Sequence, residues 1–286
     1  MDFNNVEQGI IELIKKAETE LPDDVIKSLK KAYNIETGIA KTQIKAILDN
    51  IELAKKSKRP MCQDTGIQTF FVDVGIDFPY IGNIETLIIE AVKKATKSIP
   101  LRPNTVDPFT LKNHNDNIGD FIPYITWSFT KGNNVQITAL PKGGGSENMS
   151  KLGMLKPGVG IEGVKKFVVD EVINAAGNPC PPTVIGVGIG GGADLALKLG
   201  KKSLLRPIGI RHQVKEISLI EEELINKINE SGIGPMGLGG KTTVLDVHIE
   251  IAHRHPASLP VGLIIQCWAN RRAKIVISSE GEWRLK

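Results

Sequence analysis

Residues 177–194 read GNPCPPTVIGVGIGGGAD, and the fold depends on which half of that stretch sets its character. The second half carries Gly186-x-Gly188-x-x-Gly191 directly after the strand-like TVIGVGI, the spacing of a dinucleotide-binding turn. The first half sets Cys180 between prolines, which suits a metal ligand followed by tight strand-to-helix packing. A dinucleotide site also asks for an acidic residue about 20 positions further on to hold the ribose. That region reads SLLRPIGIRHQ and offers no carboxylate until Glu216. An NAD(P)-dependent oxidoreductase therefore survives only if Arg206 or Arg211 holds a phosphorylated ribose.

Outward from this stretch, helical and strand patterns alternate. A helix near Ile161 to Ala175 precedes it. Helices from Ala193 to Leu199 and from about Glu216 to Ser231 follow, and then strands near Thr243 to Ile251, Val261 to Cys267 and Ala273 to Ser278. Upstream, Val6, Ile10, Leu13, Ile14 and Ala17 recur at helical spacing, as do Ile39, Ile44, Ile47, Leu48 and Ile51, so residues 1–58 are expected to be helical. A strand from Thr69 to Val74 and a helix from Ile84 to Lys97 come next. Strands around Ile122 to Thr130 and Val135 to Leu140 are expected to be joined by a Gly132-Asn133-Asn134 turn. With no Ser- or Pro-rich linker and no repeat, residues 1–286 are expected to form a single mixed α/β domain with helices packed around β-sheets.

Composition narrows the class. Hydrophobic residues make up 41% and charged residues 24%, the balance of a soluble globular chain. A net charge of +4 over 286 residues argues against a dedicated nucleic-acid surface but leaves cations to focus on a small anion. No run approaches the roughly 18 apolar residues of a membrane span. The start, MDFNNVEQGI, lacks the features of a secretory signal, so a cytoplasmic location is expected. Three cysteines, Cys62, Cys180 and Cys267, do not suggest a disulfide framework. Each lies beside a turn or strand end, a setting more open to metal or catalytic work than an apolar helix would be.

The long loop 99–121, IPLRPNTVDPFTLKNHNDNIGDF, has no period, and loops of that length are often functional. Arg102 sits there alone between prolines, either held to bind a carboxylate through two hydrogen bonds or an ordinary surface arginine, the commoner case. Glycine runs at 143–145, 186–192 and 232–240 allow backbone to approach a ligand, but none has P-loop spacing. His253 and His255 end a strand two residues apart and so point to the same side of it, open to metal binding or proton transfer, with one of such a pair often only structural. Asp64, two residues after Cys62, is a candidate acid or base.

Six motifs in order, CQDTG at Cys62, KGGGSEN at Lys142, GNPCPP at Cys180, GIGGGAD at Gly188, GIGPMGLGG at Gly232 and HPASLPVG–QCWANRRA from His255, run along nearly the whole chain. Through them the chain resembles the α subunit, or equivalent N-terminal domain, of class I iron–sulfur fumarate hydratases and L-tartrate dehydratases. The resemblance implies a 4Fe–4S cluster on Cys62, Cys180 and Cys267, with one iron open to substrate. It makes the glycines after Cys180 packing residues.

Carried over by position, the resemblance places Gln63 and Asp64 beside the cluster, Arg102 on a carboxylate, a backbone N–H near Gly144 on the substrate, and His255 in a hydrogen bond to it. Asp64 is the one base candidate, and His253 receives no role. The implied reaction is reversible hydration of fumarate to malate, as in the tricarboxylic acid cycle, with L-tartrate dehydration as the alternative. Because the chain stops at WRLK soon after the third cysteine, a separate β subunit is expected, with a homo-oligomer of α chains inside a hetero-oligomer. A non-enzymatic alternative, a redox sensor on the same cysteines, predicts reversible oxidation and no dicarboxylate binding.

Overall fold

A computed structural model describes residues 1–286. The first part of the chain forms α1 (Phe3–Thr19), α2 (Asp23–Ile35), α3 (Gly38–Ser57), β1 (Thr69–Gly75), α4 (Ile81–Ser98), β2 (Tyr124–Thr130) and β3 (Val135–Ala139). The middle forms α5 (Gly144–Glu147), β4 (Lys151–Leu155), α6 (Gly160–Ala175), β5 (Thr183–Gly191) and α7 (Ala193–Ser203). The rest forms α8 (Lys215–Asn229), β6 (Val244–Arg254), β7 (Leu259–Gln266), β8 (Ala273–Ile277) and β9 (Trp283–Leu285). The mixed α/β class expected from the sequence is present. Helices also fill residues 1–58 as expected, whereas α5, β4 and β9 are additions.

The chain divides into two compact units. Unit 1 comprises Met1–Pro22, Asn50–Gly144 and Arg271–Lys286, and unit 2 comprises Asp23–Asp49 and Gly145–Asn270. Unit 1 is built on a five-stranded sheet in the order β2-β1-β3-β8-β9. The expected neighbours β2 and β3 are not paired: β1 lies between them, parallel to β2 and antiparallel to β3. Burial explains the exchange. β1 carries Phe70, Val72 and Val74, all fully buried, whereas β2 is mostly part-exposed and takes the edge. The apolar stripe Val6, Ile10, Leu13, Ile14 and Ala17 of α1, with Ile84, Ile88, Ala91 and Val92 of α4, closes the core over β1, β3 and β8. Asp2 caps α1, its carboxylate accepting the N–H groups of Asn4 and Asn5, a contribution of about 1 kcal/mol.

Unit 2 is built on a four-stranded sheet in the order β4-β7-β5-β6, with β5 parallel to β6 and antiparallel to β7. Alternation along β5 separates two functions. Ile185 and Val187 enter the apolar cluster with Val164, Val168 and Val172 of α6 and Leu224 and Ile228 of α8. Gly186 and Gly188, on the opposite face, meet α7. A Cβ on Gly188 would lie 2.0 Å from the Ala196 carbonyl oxygen, and one on Gly186 would lie 2.1 Å from that of Gly200. These glycines are therefore consumed by strand–helix packing, with no room left for a pyrophosphate. Arg206 and Arg211, needed for a phosphorylated ribose, are also committed elsewhere.

That commitment seals the outer edge of β6. Arg206 Nη2 donates to the Ile249 carbonyl at 2.7 Å and Arg211 Nη1 to that of Val247 at 3.2 Å. Glu221, fully buried, accepts the Ile249 N–H at 2.8 Å and pairs with Arg206 at 2.6 Å. An edge strand is thereby denied to other chains by side chains rather than by another strand. Burial works against Arg206's charge, but Glu250 and Glu221 outweigh it and hold its pKa above the ordinary value.

Asp246 in the same network pairs with Arg211, lies 3.1 Å from His248 Nε2 and accepts the Gly209 N–H at 2.6 Å. Burial would raise its pKa, yet these partners together hold it below the ordinary carboxylate value. The folded chain thus binds fewer protons at this site than the unfolded chain between the two pKa values. Stability from Asp246 is complete above about pH 4 and is lost as the pH falls through the lower folded value. Melting followed between pH 7 and pH 3 is expected to show a steeper loss for the native chain than for Asp246→Asn. Parallel curves would remove Asp246 as a source of acid sensitivity.

Candidate functional site

In unit 1 the candidate residues stand on irregular backbone at one end of β1. The CQDTG turn, residues 62–66, leads into that strand, and Ile67 bridges Lys142 through backbone hydrogen bonds in both directions, at 3.1 and 3.3 Å. Asp64 is the hub. Its Oδ1 accepts the Gly66 N–H at 2.8 Å and Asn104 Nδ2 at 3.2 Å, and its Oδ2 accepts the Gly144 N–H at 2.7 Å. A Cβ at position 143 would come within 2.8 Å of that Oδ2, which accounts for the glycine there. The Gly144 N–H, in the segment where a backbone donor to substrate is expected, donates to Asp64.

The long loop is fixed by its amides. Asn117 Oδ1 accepts the Asn104 N–H at 2.7 Å, and its Nδ2 donates to the Arg102 carbonyl at 3.2 Å and to Thr96 Oγ1 at 3.1 Å. Thr65 Oγ1 accepts the Arg102 N–H at 3.1 Å. Arg102 therefore presents an exposed guanidinium from a held backbone. Its side chain lines a cleft of about 620 Å³ together with Cys62, Gln63, Thr65, Arg59 and the prolines Pro60 and Pro100. No acidic side chain lines that cleft.

Beneath the turn lies an ion pair. Arg271 Nη1 donates to Glu18 Oε2 at 2.7 Å, its Nη2 donates to the Asp64 carbonyl at 3.1 Å, and Gln68 Nε2 donates to Glu18 Oε1 at 2.9 Å. Glu18 is wholly buried. Burial pushes its carboxyl up while Arg271 and Gln68 pull it down, and burial prevails.

In unit 2, Cys180 and Cys267 come together through backbone: the Trp268 N–H donates to the Cys180 carbonyl at 3.2 Å. Cys180 itself has φ 56°, a left-handed conformation that costs a non-glycine residue roughly 1–2 kcal/mol. Such strain is concentrated at functional positions. His255 lies one residue beyond the end of β6, so only His253 belongs to the strand, and the expected same-side histidine pair is not formed. The strand stops there because Pro256 follows, and the residue before a proline is restricted. His255 is exposed, and its Nδ1 accepts the Ala257 N–H at 3.1 Å. A neutral ring accepting there carries its proton on Nε2.

None of the three cysteines is in a disulfide, and all are half-buried. In neither unit do three His, Cys, Asp or Glu side chains converge on one point. Cys62 belongs to one unit and Cys180 and Cys267 to the other. The donor set still fits an iron–sulfur cluster in kind: three part-exposed thiols, each on irregular backbone between elements. Asn104, Asn117, Glu18 and Arg271 were not singled out from the sequence. Arg271 does lie within the QCWANRRA run, and Asn104 lies two residues from Arg102, so their motifs carried the available signal. No helix is long and apolar enough to cross a membrane.

Comparison with known proteins follows the same residues. A family model described as fumarate hydratase (fumerase) matches residues 7–276. A Methanocaldococcus jannaschii protein, provisionally named L(+)-tartrate dehydratase subunit alpha, is 52% identical over 269 residues, covering 92% of this chain and 94% of its own. The L(+)-tartrate dehydratase subunit alpha of Escherichia coli K12 is 39% identical over 264 residues, covering 92% of this chain and 87% of its own.

Proposed function

The chain belongs to the fumarate hydratase (fumerase) family, and on that footing we propose that it is the α subunit of a hydro-lyase that dehydrates L-tartrate with a separate β subunit. The sequence alone put malate and fumarate first and tartrate second. The names of the relatives, at 52% and 39% identity, reverse that order. Hydration of fumarate remains the second reading because the matching family model is described by it. The observation that carries a dicarboxylate site is the cleft holding Cys62, Gln63 and Arg102 with no acidic side chain on its wall.

Loss of water from L-tartrate removes a proton from one carbon and hydroxide from its neighbour, leaving the enol of oxaloacetate. Arg102 binds a carboxylate through two parallel hydrogen bonds, orienting the carbon that loses its proton and stabilising the charge that develops beside it. Gln63 donates its amide to an oxygen at the same site. The Nε2–H of His255 is a donor to a substrate oxygen. Asp64 has about four acceptor positions on its two oxygens, and three are taken by Gly66, Asn104 and Gly144. The remaining one, on Oδ2, is where Asp64 would receive the proton as general base, from a place in the turn between Gln63 and Thr65, which line the cleft, rather than from the cleft wall itself. Held by Cys62, Cys180 and Cys267, a 4Fe–4S cluster would supply Lewis acidity toward the departing hydroxide.

The test is anaerobic turnover of L-tartrate and L-malate by the assembled α and β chains. L-tartrate is expected to be preferred in kcat/KM by at least about tenfold, a floor well under what a site built to hydrogen-bond the second hydroxyl reaches against an acid lacking it. A preference for malate would move the assignment to the second reading, and activity on neither would end both.

A neighbouring substitution tests the positioning of the base. In Asn104→Ala, Asp64 loses one of three donors and the loop loses its tie to Gly66. A fall in kcat of about 10- to 100-fold is expected, as when the partner that orients a reactive group is removed. The accompanying loss of stability is expected to be about 1 kcal/mol. Unchanged kcat would detach Asp64's orientation from the reaction.

A further inference from the structure

The cleft of unit 1 contains a second arginine that no motif drew attention to. Arg59 stands just after α3, its N–H donating to the Ala54 carbonyl at 3.3 Å and its backbone followed by Pro60. Its exposed side chain lines the same cleft of about 620 Å³ as Cys62, Gln63 and Arg102. Neighbouring Lys58 is drawn to Glu20 at 3.2 Å, but the cleft wall contains no carboxylate to answer either arginine. Two cations, a thiol and an amide between two prolines make a positive cavity with partly apolar walls, the arrangement that focuses potential on an incoming anion.

We propose that Arg59 is a second cation that this chain brings to the substrate site and that it raises the affinity for a doubly charged acid, drawing in the dianion that Arg102 then orients. This rests on the cleft being the hydro-lyase's dicarboxylate site. The assignment separates two roles that one arginine cannot combine. Arg102, held through both its N–H and its carbonyl, is fixed in register with the Cys62–Gly66 turn. Arg59, anchored only through its N–H to the end of a helix, is free to reach for substrate. Its contribution is to binding and encounter, common to ground and transition states, so it acts on KM and leaves kcat alone.

The experiment compares wild type, Arg59→Gln and Arg59→Lys in the assembled α and β enzyme, with L-tartrate kinetics at low salt and at about 0.5 M KCl, where charges are screened beyond a few ångströms. At low salt Arg59→Gln is expected to raise KM about tenfold with kcat within about twofold, a capture effect at the lower end of the range for steering. High salt should shrink the gap, and Arg59→Lys should restore most of the loss. A wild-type KM in Arg59→Gln at low salt would overturn the proposal. So would a loss in kcat that neither salt nor lysine changes.

Calorimetric titration of the same three proteins with L-tartrate separates this inference from the one beneath it. If wild type binds L-tartrate and Arg59→Gln binds it about tenfold more weakly, Arg59 is upheld even if no turnover is found and the hydro-lyase assignment fails. If wild type turns over L-tartrate and Arg59→Gln matches it in binding and KM, only Arg59 falls. No binding by wild type and no turnover ends both.

Discussion

If Cys180 holds the proposed cluster, Cys180→Ser is expected to cost the assembled enzyme at least about a thousandfold in turnover of L-tartrate, because the cluster's Lewis acidity would be worth several kcal/mol and each 1.36 kcal/mol is a decade in rate. The backbone at Cys180 makes this a clean substitution. Its left-handed φ, its N–H bond to the Gly177 carbonyl at 3.1 Å and its carbonyl bond from Trp268 do not depend on sulfur. Serine can keep all three, so the turn and unit 2 should fold as before. What serine removes is the soft sulfur donor that the proposed cluster needs. Iron and sulfide assays on anaerobically prepared protein should find about four of each per chain in wild type and clearly fewer in the variant. Circular dichroism should be unchanged. An inert half-buried cysteine would behave otherwise, losing neither iron nor rate. Retained activity with full iron would leave the three cysteines without a shared task.

How much could be seen in the sequence differs between the two halves of the problem. Periodicity located the helices of α1, α3 and α4 and most strands, because each buries one stripe or one face, and that leaves a regular mark. It did not reveal that β1 would part β2 from β3. Strand order is decided by which strand is apolar on both faces, and Phe70 to Val74 win that place only in competition with the whole sheet. The glycines at 186 and 188 were ambiguous for a similar reason. A backbone pressed against a phosphate and a backbone pressed against a helix both demand glycine, and only the position of the Ala196 carbonyl separates them.

At the site, Cys62, Gln63, Asp64, Arg102 and Gly144 were all named from motifs, and unit 1 does bring them to one region. The supporting amides were not legible. Asn104 and Asn117 act through distances of 13 to 40 residues along the chain, with no period and no charge to betray them. Glu18 was hidden differently. On the sequence it is one more polar residue at the end of an amphipathic helix, where solvation is the ordinary expectation.

Glu18 and Arg271 should be the most sensitive stabilising pair in unit 1, and their two single variants should fail for different reasons. Arg271 cannot shed its charge, so Glu18→Leu leaves a buried guanidinium without its carboxylate, which is expected to cost about 3–5 kcal/mol in denaturant-induced unfolding. Arg271→Met leaves a carboxyl that burial already pushes up, and that group can take a proton and keep its bond from Gln68. Its cost should therefore be smaller at low pH.

The sign follows from the raised folded pKa. Stability is complete below the unfolded value, about 4.3 for glutamate, and is lost as the pH rises through the higher folded one. Arg271→Met should accordingly melt higher at pH 5 than at pH 8. Activity should reverse the ranking of the single variants, since Arg271 also holds the Asp64 carbonyl at 3.1 Å and so the turn that carries Cys62 and Gln63. Glu18→Leu with Arg271→Met replaces both ions by apolar side chains and should recover most of the stability lost in Glu18→Leu alone. It should recover none of the activity, because the Asp64 carbonyl then has no donor from position 271. Recovery of both together would make the pair a packing feature only, and loss of both in every variant would mean that unit 1 does not fold without it.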